Sequence, residues 1–517
     1  NEWHVWAPLK TAGGVEHPHL TARFAIRSYA GMNKARVDVT IENNWAYEPN
    51  PQNFTYDVQL VVGGKNVYSK TELTHYHHAR WRKNMWWSTT PQVHIKHNTG
   101  YLIESKSIPN YDQSIVVSET ALSLLKNSIA GSTFEPMNNG LAASYMPMTG
   151  GRADIGLLPR WAAIYILSMD KDAKDATLAT ADVAGSWSTH YRDKNTGHVV
   201  SLFDYPYMTL LGRNSDTFNP ITKKYESFPA CGGTCTTPHT ADSSHQPSFS
   251  YLPYLITGDH YYLEELQFWA MWNMFQHNPN YRQNIKGLVN PDQVRGEAWS
   301  LRTLADAAFI TPDSNALKNQ FEIFLNNNLD WYNLTYTNNT SPDNNLGAIT
   351  LNSFEYNDNT GIAPWQDDFF TSAIGHIAEL GYPAANQLLL WKVKFPIGRM
   401  IAPNFCWITA SNYTLNLKAT ASGPIFTNLG DAYRTSFPSL QSVTCGSSEM
   451  SSILGLQNGE MVGTPSSNIG YPSNMQPALA YSVDSGAPGA KEAWNLFQSR
   501  SIKPDYSLGP QFAIVPR

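Results

Sequence analysis

At 517 residues, with 42% hydrophobic and 15% charged side chains, the chain is globular but too long for one core, since single cores stop growing near about 250–300 residues. Its 36 Lys+Arg against 42 Asp+Glu, a net charge of −6, exclude the basic surface that nucleic acid requires. No stretch approaches the roughly 18 apolar residues of a membrane-spanning helix.

The first stretch alternates like antiparallel β-structure. Between Ala35 and Ile41 apolar residues alternate with Arg36, Asp38, Thr40 and Glu42, the period-2 pattern of a half-buried strand. Phe24 to Tyr29 precedes it across a Gly31-Met32-Asn33 turn. Tyr56, Val58, Leu60 and Val62 alternate again, and Gly63-Gly64 turns the chain back into Val67-Tyr68. Short strands are also expected at Val93–Ile95 and Tyr101–Ile103. Strands at this spacing predict an N-terminal antiparallel β-sandwich over residues 1–120.

The period then becomes helical, and one unit recurs. Trp161–Met169 and Ala173–Val183 flank Asp170-Lys171-Asp172; Tyr251–Ile256 and Tyr261–Phe275 flank Thr257-Gly258-Asp259. Val294–Ile310 pairs with Ala316–Leu329, and Phe369–Leu380 with Ala384–Val393. Pro477–Val483 and Ala490–Phe497 form a fifth pair. Gly or Pro ends the first helix, and Asp or Ser caps the second. Hairpins this apolar need neighbours to bury their faces. Irregular insertions favour a closed (α/α)6-type toroid with long loops over an open solenoid of tight period, with one hairpin degenerate. This domain is expected to span 121–517, with inserted loops at 184–249 and 401–474.

Within the first loop lies Cys231-Gly-Gly-Thr-Cys235. Its two glycines let the chain fold back into a local disulfide, the leading expectation; free thiols and a metal pair are the alternatives. Zinc needs a second ligand pair, and Cys406 and Cys445 are not spaced as one. The chain starts at Asn1, which suggests a processed or trimmed N-terminus. Together these favour an extracellular, periplasmic or cell-surface location.

The layout of a β-sandwich before an irregular toroid resembles the carbohydrate-active six-hairpin superfamily, and within it rhamnogalacturonan exolyase-like proteins. His245-Gln246-Pro247, Tyr254-Leu255-Ile256-Thr257-Gly258-Asp259 and Trp365-Gln366-Asp367-Asp368-Phe369-Phe370 resemble the start of toroid hairpins there. The resemblance implies a fold and a polysaccharide substrate; it transfers no catalytic residue.

Three constellations carry candidate chemistry. Trp187-Ser188-Thr189-His190-Tyr191-Arg192 offers Trp187 for sugar stacking, His190 or Tyr191 for proton transfer and Arg192 as a fork for a carboxylate, the roles a uronate lyase needs. The bland alternative is a loop pinned by aromatic packing. His239, Asp242 and His245 lead into Tyr251 and Tyr254, and a carboxylate beside His245 can set its tautomer. Asp242 as a mere helix cap weighs equally. Trp365, Asp367 and Asp368 open an apolar helix; a carboxylate there, paired with Glu297, would serve a hydrolase, whereas acids in a first turn also simply favour the helix dipole. Glu264-Glu265 sit mid-helix, and consecutive residues do not share a face, so a solvated surface is expected. His75, His77, His78, His94 and His97 lie near Trp81, Trp86 and Trp87 and are expected to pack on the toroid rather than bind metal.

There is no Gly-x-Ser-x-Gly, phosphate loop, dinucleotide fingerprint or His-Glu-x-x-His, so no cofactor or metal is expected. The leading expectation is a polysaccharide-degrading enzyme acting on an acidic glycan by β-elimination. Hydrolysis through an Asp/Glu pair, and a non-catalytic glycan-binding or structural surface or virion protein, are the alternatives. Oligomeric state is not legible.

Overall fold

The computed structural model describes residues 2–87, 89–91, 93–148, 152–211, 213–463 and 470–517. Six strands open the chain: β1 (Glu2–Lys10), β2 (Glu16–Ser28), β3 (Ala35–Glu42), β4 (Phe54–Val62), β5 (Lys65–His75) and β6 (Arg80–Trp87). β1, β2, β3 and β6 form one antiparallel sheet in that order, and β4–β5 is a hairpin packed on it. Gly63 and Gly64 both take positive φ, the two-residue turn whose twist matches the flanking strands.

Alternation divides the sheet into two faces. Ala22, Val39, Ile41, Trp81 and Met85 meet Val58 and Leu73 of the hairpin in an apolar core. The opposite face carries Asp38, Thr40, Glu42, Arg80 and Arg82, and all five are buried. Its polar residues were expected to be half-solvated. They are covered because the helices bring Asp182, Asp259, Glu264 and Glu265 against the arginines.

Beyond Trp87 two expected strands are absent. Residues 93–95 have no regular structure, and Thr99–Glu104 is a helix, α1. The Asn98 side chain accepts the Tyr101 N–H at 2.9 Å, and that cap outweighs a three-residue alternation. α2 (Glu119–Ile129) follows.

The helical hairpins form where the periodicity places them: α3 (Arg160–Ser168) with α4 (Lys171–Asp182), α5 (Tyr251–Thr257) with α6 (His260–Phe275), and α7 (Val294–Ile310) with α8 (Lys318–Tyr332). α9 (Pro364–Glu379) precedes α10 (Pro383–Lys392) and α11 (Lys394–Ile401). α12 (Leu429–Ser436) and α13 (Ser448–Leu454) lie in the stretch expected to be a loop over 401–474, of which 464–469 fall outside the described residues. α14 (Tyr471–Asp484) and α15 (Ala490–Gln498) complete the order. Asp170 caps α4 and Asp259 caps α6, while Gly258 supplies the left-handed residue that ends α5.

α7, α9 and α14 are nearly wholly buried and lie side by side. Arg295 of α7 lies over Trp365 of α9, and eleven residues later in each helix Asp306 meets His376 at 3.1 Å. Trp365 lies 5.7 Å from Tyr471 of α14, and ten residues on, Gly375 receives the Tyr481 ring where any Cβ would overlap it. Equal offsets mean that the three helices run parallel and in register, with their N-termini together. α6 runs antiparallel to α7, since Gln267 reaches Thr311 while Gln246 bridges Asn273 to Thr303.

Candidate active site

The shared N-termini of α7, α9 and α14 carry the densest group of chemically capable side chains. Trp365, Tyr413 and Tyr471 lie within 5.9 Å of one another, centroid to centroid, with Tyr356 beside Tyr413 at 5.7 Å. Tyr413 is 43% exposed, so this aromatic wall reaches solvent. The Arg295 guanidinium lies over Trp365 at 5.3 Å. Arg295 is only 9% exposed, yet its one hydrogen bond is Nε to Gln293 at 3.1 Å, and its two terminal nitrogens have no partner among the described residues.

Three carboxylates surround this guanidinium without ion-pairing to it. Asp242 Oδ2 pairs with His245 Nδ1, so the proton lies on Nδ1 and the lone pair on Nε2, which is buried and has no partner among the described residues. Asp292 accepts the Ser243 hydroxyl and the Gln293 N–H. Glu355 accepts Gln293 Nε2 at 3.3 Å. Gly296 makes the Asp292 position available: a Cβ there would overlap the carboxylate.

These environments separate the groups electrostatically. Burial pushes Asp292 up to about 6, against the Ser243 and Gln293 hydrogen bonds. Burial also raises Glu355, with Arg295 opposing. Asp242 is lowered because His245 outweighs its burial. His245 itself is lowered, chiefly by burial, with Asp242 opposing. Neighbouring carboxyl groups thus differ in proton affinity, which is how a site divides acid and base duties.

Of the residues singled out by sequence, Asp242, His245 and Trp365 lie at this mouth. Glu297, Asp367 and Asp368 lie beside it but are buried and aimed at α8, α10 and α11. Glu297 accepts the Tyr332 hydroxyl at 2.5 Å, and burial holds its carboxyl well above the usual range. Asp367 takes the Ile349 N–H at 2.9 Å and pairs with Lys392; Asp368 pairs with Arg399, and burial raises it against that arginine. Tyr251 donates to the Ser107 carbonyl at 2.6 Å and lies 6.3 Å from His376, toward the other end of α9; Tyr254 packs against Ala181, Tyr261 and Tyr262.

The loop constellation lies elsewhere. His190 N–H bonds to the His78 carbonyl and Arg192 N–H to the Asn44 carbonyl, which seats residues 190–192 on the β-layer. His190 Nε2 meets Glu265 at 2.7 Å, and Arg192 meets Glu42 at 2.7 Å and Glu264 at 2.8 Å. Tyr191 stacks between His78 and Phe228, and Trp187 is buried among His239, Phe249 and Trp269. Glu265 precedes Gln267, which reaches the C-terminal end of α7. The sixteen-residue rise from Arg295 to Thr311 therefore puts His190 about 24 Å from the mouth along the helix axis. His190 and His245 are not brought together. Glu264 and Glu265, expected on a solvated face, are covered instead: Glu265 is buried against Arg80, and Glu264 is half-buried against Arg80 and Arg192.

Asp292, Arg295, Glu355 and the tyrosines Tyr356, Tyr413 and Tyr471 were not singled out. Gly296 in the first turn of an otherwise strong helix was the available signal, since a glycine there marks close approach of another group. The chain matches no protein-family model, no curated protein and no solved structure.

Proposed function

We propose that the protein cleaves glycosidic bonds of an acidic glycan at the mouth formed by α7, α9 and α14, and that cleavage is hydrolytic. The observation that carries the reading is the pair of unlike carboxyl groups, Asp292 held up to about 6 and Asp242 held low, beside an aromatic wall. Asp292 protonates the leaving oxygen, and Asp242 with His245 activates water. Sugar rings stack on Trp365 and Tyr413. Arg295 and the three helix N-termini hold a substrate carboxylate. On this reading the five hairpins, with a degenerate sixth, close into a toroid of inner helices α7, α9 and α14 and outer helices α8, α10 and α15. That arrangement accords with the six-hairpin resemblance, and two disulfides, Cys231–Cys235 and Cys406–Cys445, with an extracytoplasmic location.

Arg295 also favours a second reading. An unpaired guanidinium beside a neutral imidazole with a free Nε2 suits β-elimination from a uronate, with Arg295 neutralising the carboxylate and His245 taking the α-proton. Incubation with a panel of acidic and neutral polysaccharides separates the two. Reducing ends without new ultraviolet absorbance support hydrolysis, and absorbance from an unsaturated uronate supports elimination. No product from any acidic member overturns both and leaves a glycan-binding protein.

A further inference from the structure

A second cleft, of about 330 Å³, opens between the β1–β2 edge of the sheet and the first turn of α6. Its size is that of a small-molecule site. His4, Trp6, Arg23, Thr40, Asp259 and His260 line it. Asp259 stands at the N-terminus of α6, which runs antiparallel to α7, so this cleft lies at the opposite end of α7 from the mouth.

The charges behind the cleft are paired. Arg23, Arg36, Arg80, Arg82 and Arg192 interlock with Asp38, Glu42, Asp182, Asp259, Glu264 and Glu265. His190 lies against the same network, its Nδ1 facing the Trp187 carbonyl at 3.0 Å and its Nε2 the arginine-paired Glu265 at 2.7 Å. Each of the five guanidiniums and six carboxylates is thus engaged in at least one ion pair, so the wall holds no unpaired charge for an ionic ligand. It does offer directed polar groups. Arg23 Nη2 is buried without a partner among the described residues, and Thr40 and His260 stand beside it in the lining, His260 Nδ1 4.0 Å from Glu264. At the rim Trp6 is 55% exposed, braced by Arg23 at 5.8 Å and by the edge of Trp45 at 6.2 Å. His4 and His260, 4.9 Å apart, close the far side.

We propose that this cleft is a binding site for a neutral saccharide, whose apolar ring face stacks on Trp6 while its hydroxyls engage Arg23, Thr40 and His260. The paired charges select a neutral ligand, the directed polar groups select a hydroxyl-rich one, and the exposed indole selects one with an apolar face. The site stands apart from the catalytic reading of the mouth and does not depend on it.

The test is isothermal titration of the full chain with neutral trisaccharides of β-linked glucose, galactose and mannose. At least one should bind. Trp6→Ala, at an exposed position that leaves the core intact, should weaken it by about tenfold or more, and His260→Ala should weaken it as well. Arg295→Met at the mouth should leave it unchanged. Failure of all three sugars to bind overturns the proposal, as does wild-type affinity in Trp6→Ala. Loss of neutral-sugar binding in Arg295→Met alone also overturns it, by placing the ligand at the mouth. Cleavage of acidic glycans by Trp6→Ala at the wild-type rate leaves the mouth reading standing whatever the titration shows.

Discussion

Asp292 and Gly296 form the smallest unit on which the proposed chemistry rests. The carboxyl sits against the first turn of α7 only because residue 296 has no side chain. Gly296→Ala should therefore move Asp292, and a misplacement of that order costs about a hundredfold in rate. Helix propensity pulls the other way, since alanine is favoured over glycine by about 1 kcal/mol within a helix. The expected outcome is lost turnover with an undiminished melting temperature; unchanged turnover would remove Asp292 from the mechanism. Its pH profile makes a separate demand. A general acid held up to about 6 is protonated below that value and loses its proton above it, so turnover should fall as pH rises through about 6. Asp292→Asn should lower turnover by about 10²–10⁴-fold and abolish that alkaline limb, measured as kcat/KM across pH 4–8.

Between helices, Gly375 and His376 join α9 to its neighbours by two different means. Gly375 admits the Tyr481 ring of α14, and a Cβ there would overlap it. Gly375→Ala should thus cost about 1–3 kcal/mol by overpacking, seen as a lower denaturation midpoint, in contrast to Gly296→Ala. His376 faces Asp306 of α7 at 3.1 Å and Glu379 of its own helix at 3.8 Å. Burial alone would lower its pKa, but those two carboxylates outweigh it and hold it up to about 9. The folded value exceeds the unfolded value of about 6.5, so the stabilisation is full below pH 6.5 and lost as pH rises through 9. It is on the order of 3 kcal/mol. Urea titration of wild type should show that decline between pH 6.5 and 9, and His376→Gln should flatten it.

Across the whole molecule, the sheet and the helices are joined through charge. Arg80 is fully buried, donates to Glu264, Glu265 and the Tyr261 carbonyl, and lies over the Tyr261 and Phe268 rings. Removing one member of such a network strands its partners in a dry site. Arg80→Met should destabilise the protein by about 3–5 kcal/mol. Limited proteolysis should then cut between Trp87 and Arg160 faster than in wild type; equal rates would mean that the ion pairs do not hold the two layers together.

Much of the fold follows from local pattern. The period-2 run at Ala35–Glu42, the Gly63-Gly64 turn and the capped hairpins at Asp170 and Asp259 appear where the residues predict, because turn chemistry, capping and apolar periodicity act over a few neighbours. Cys231 and Cys235 bond as their glycine spacer favours, while Cys406 and Cys445, 39 residues apart, had no local signal. Site membership is of another kind. Asp367 and Asp368 carry the same side chain as Asp292, and His190 has a carboxylate partner as His245 does, yet Asp367, Asp368 and His190 are enclosed by Lys392, Arg399 and Glu265. Which polar residues face a cleft and which face a buried partner depends on helices packed from distant parts of the chain. The sequence by itself determined the elements and their caps; only the tertiary structure decided which charges are neutralised inside and which are left free at the mouth, because ion pairing and burial depend on distance in space.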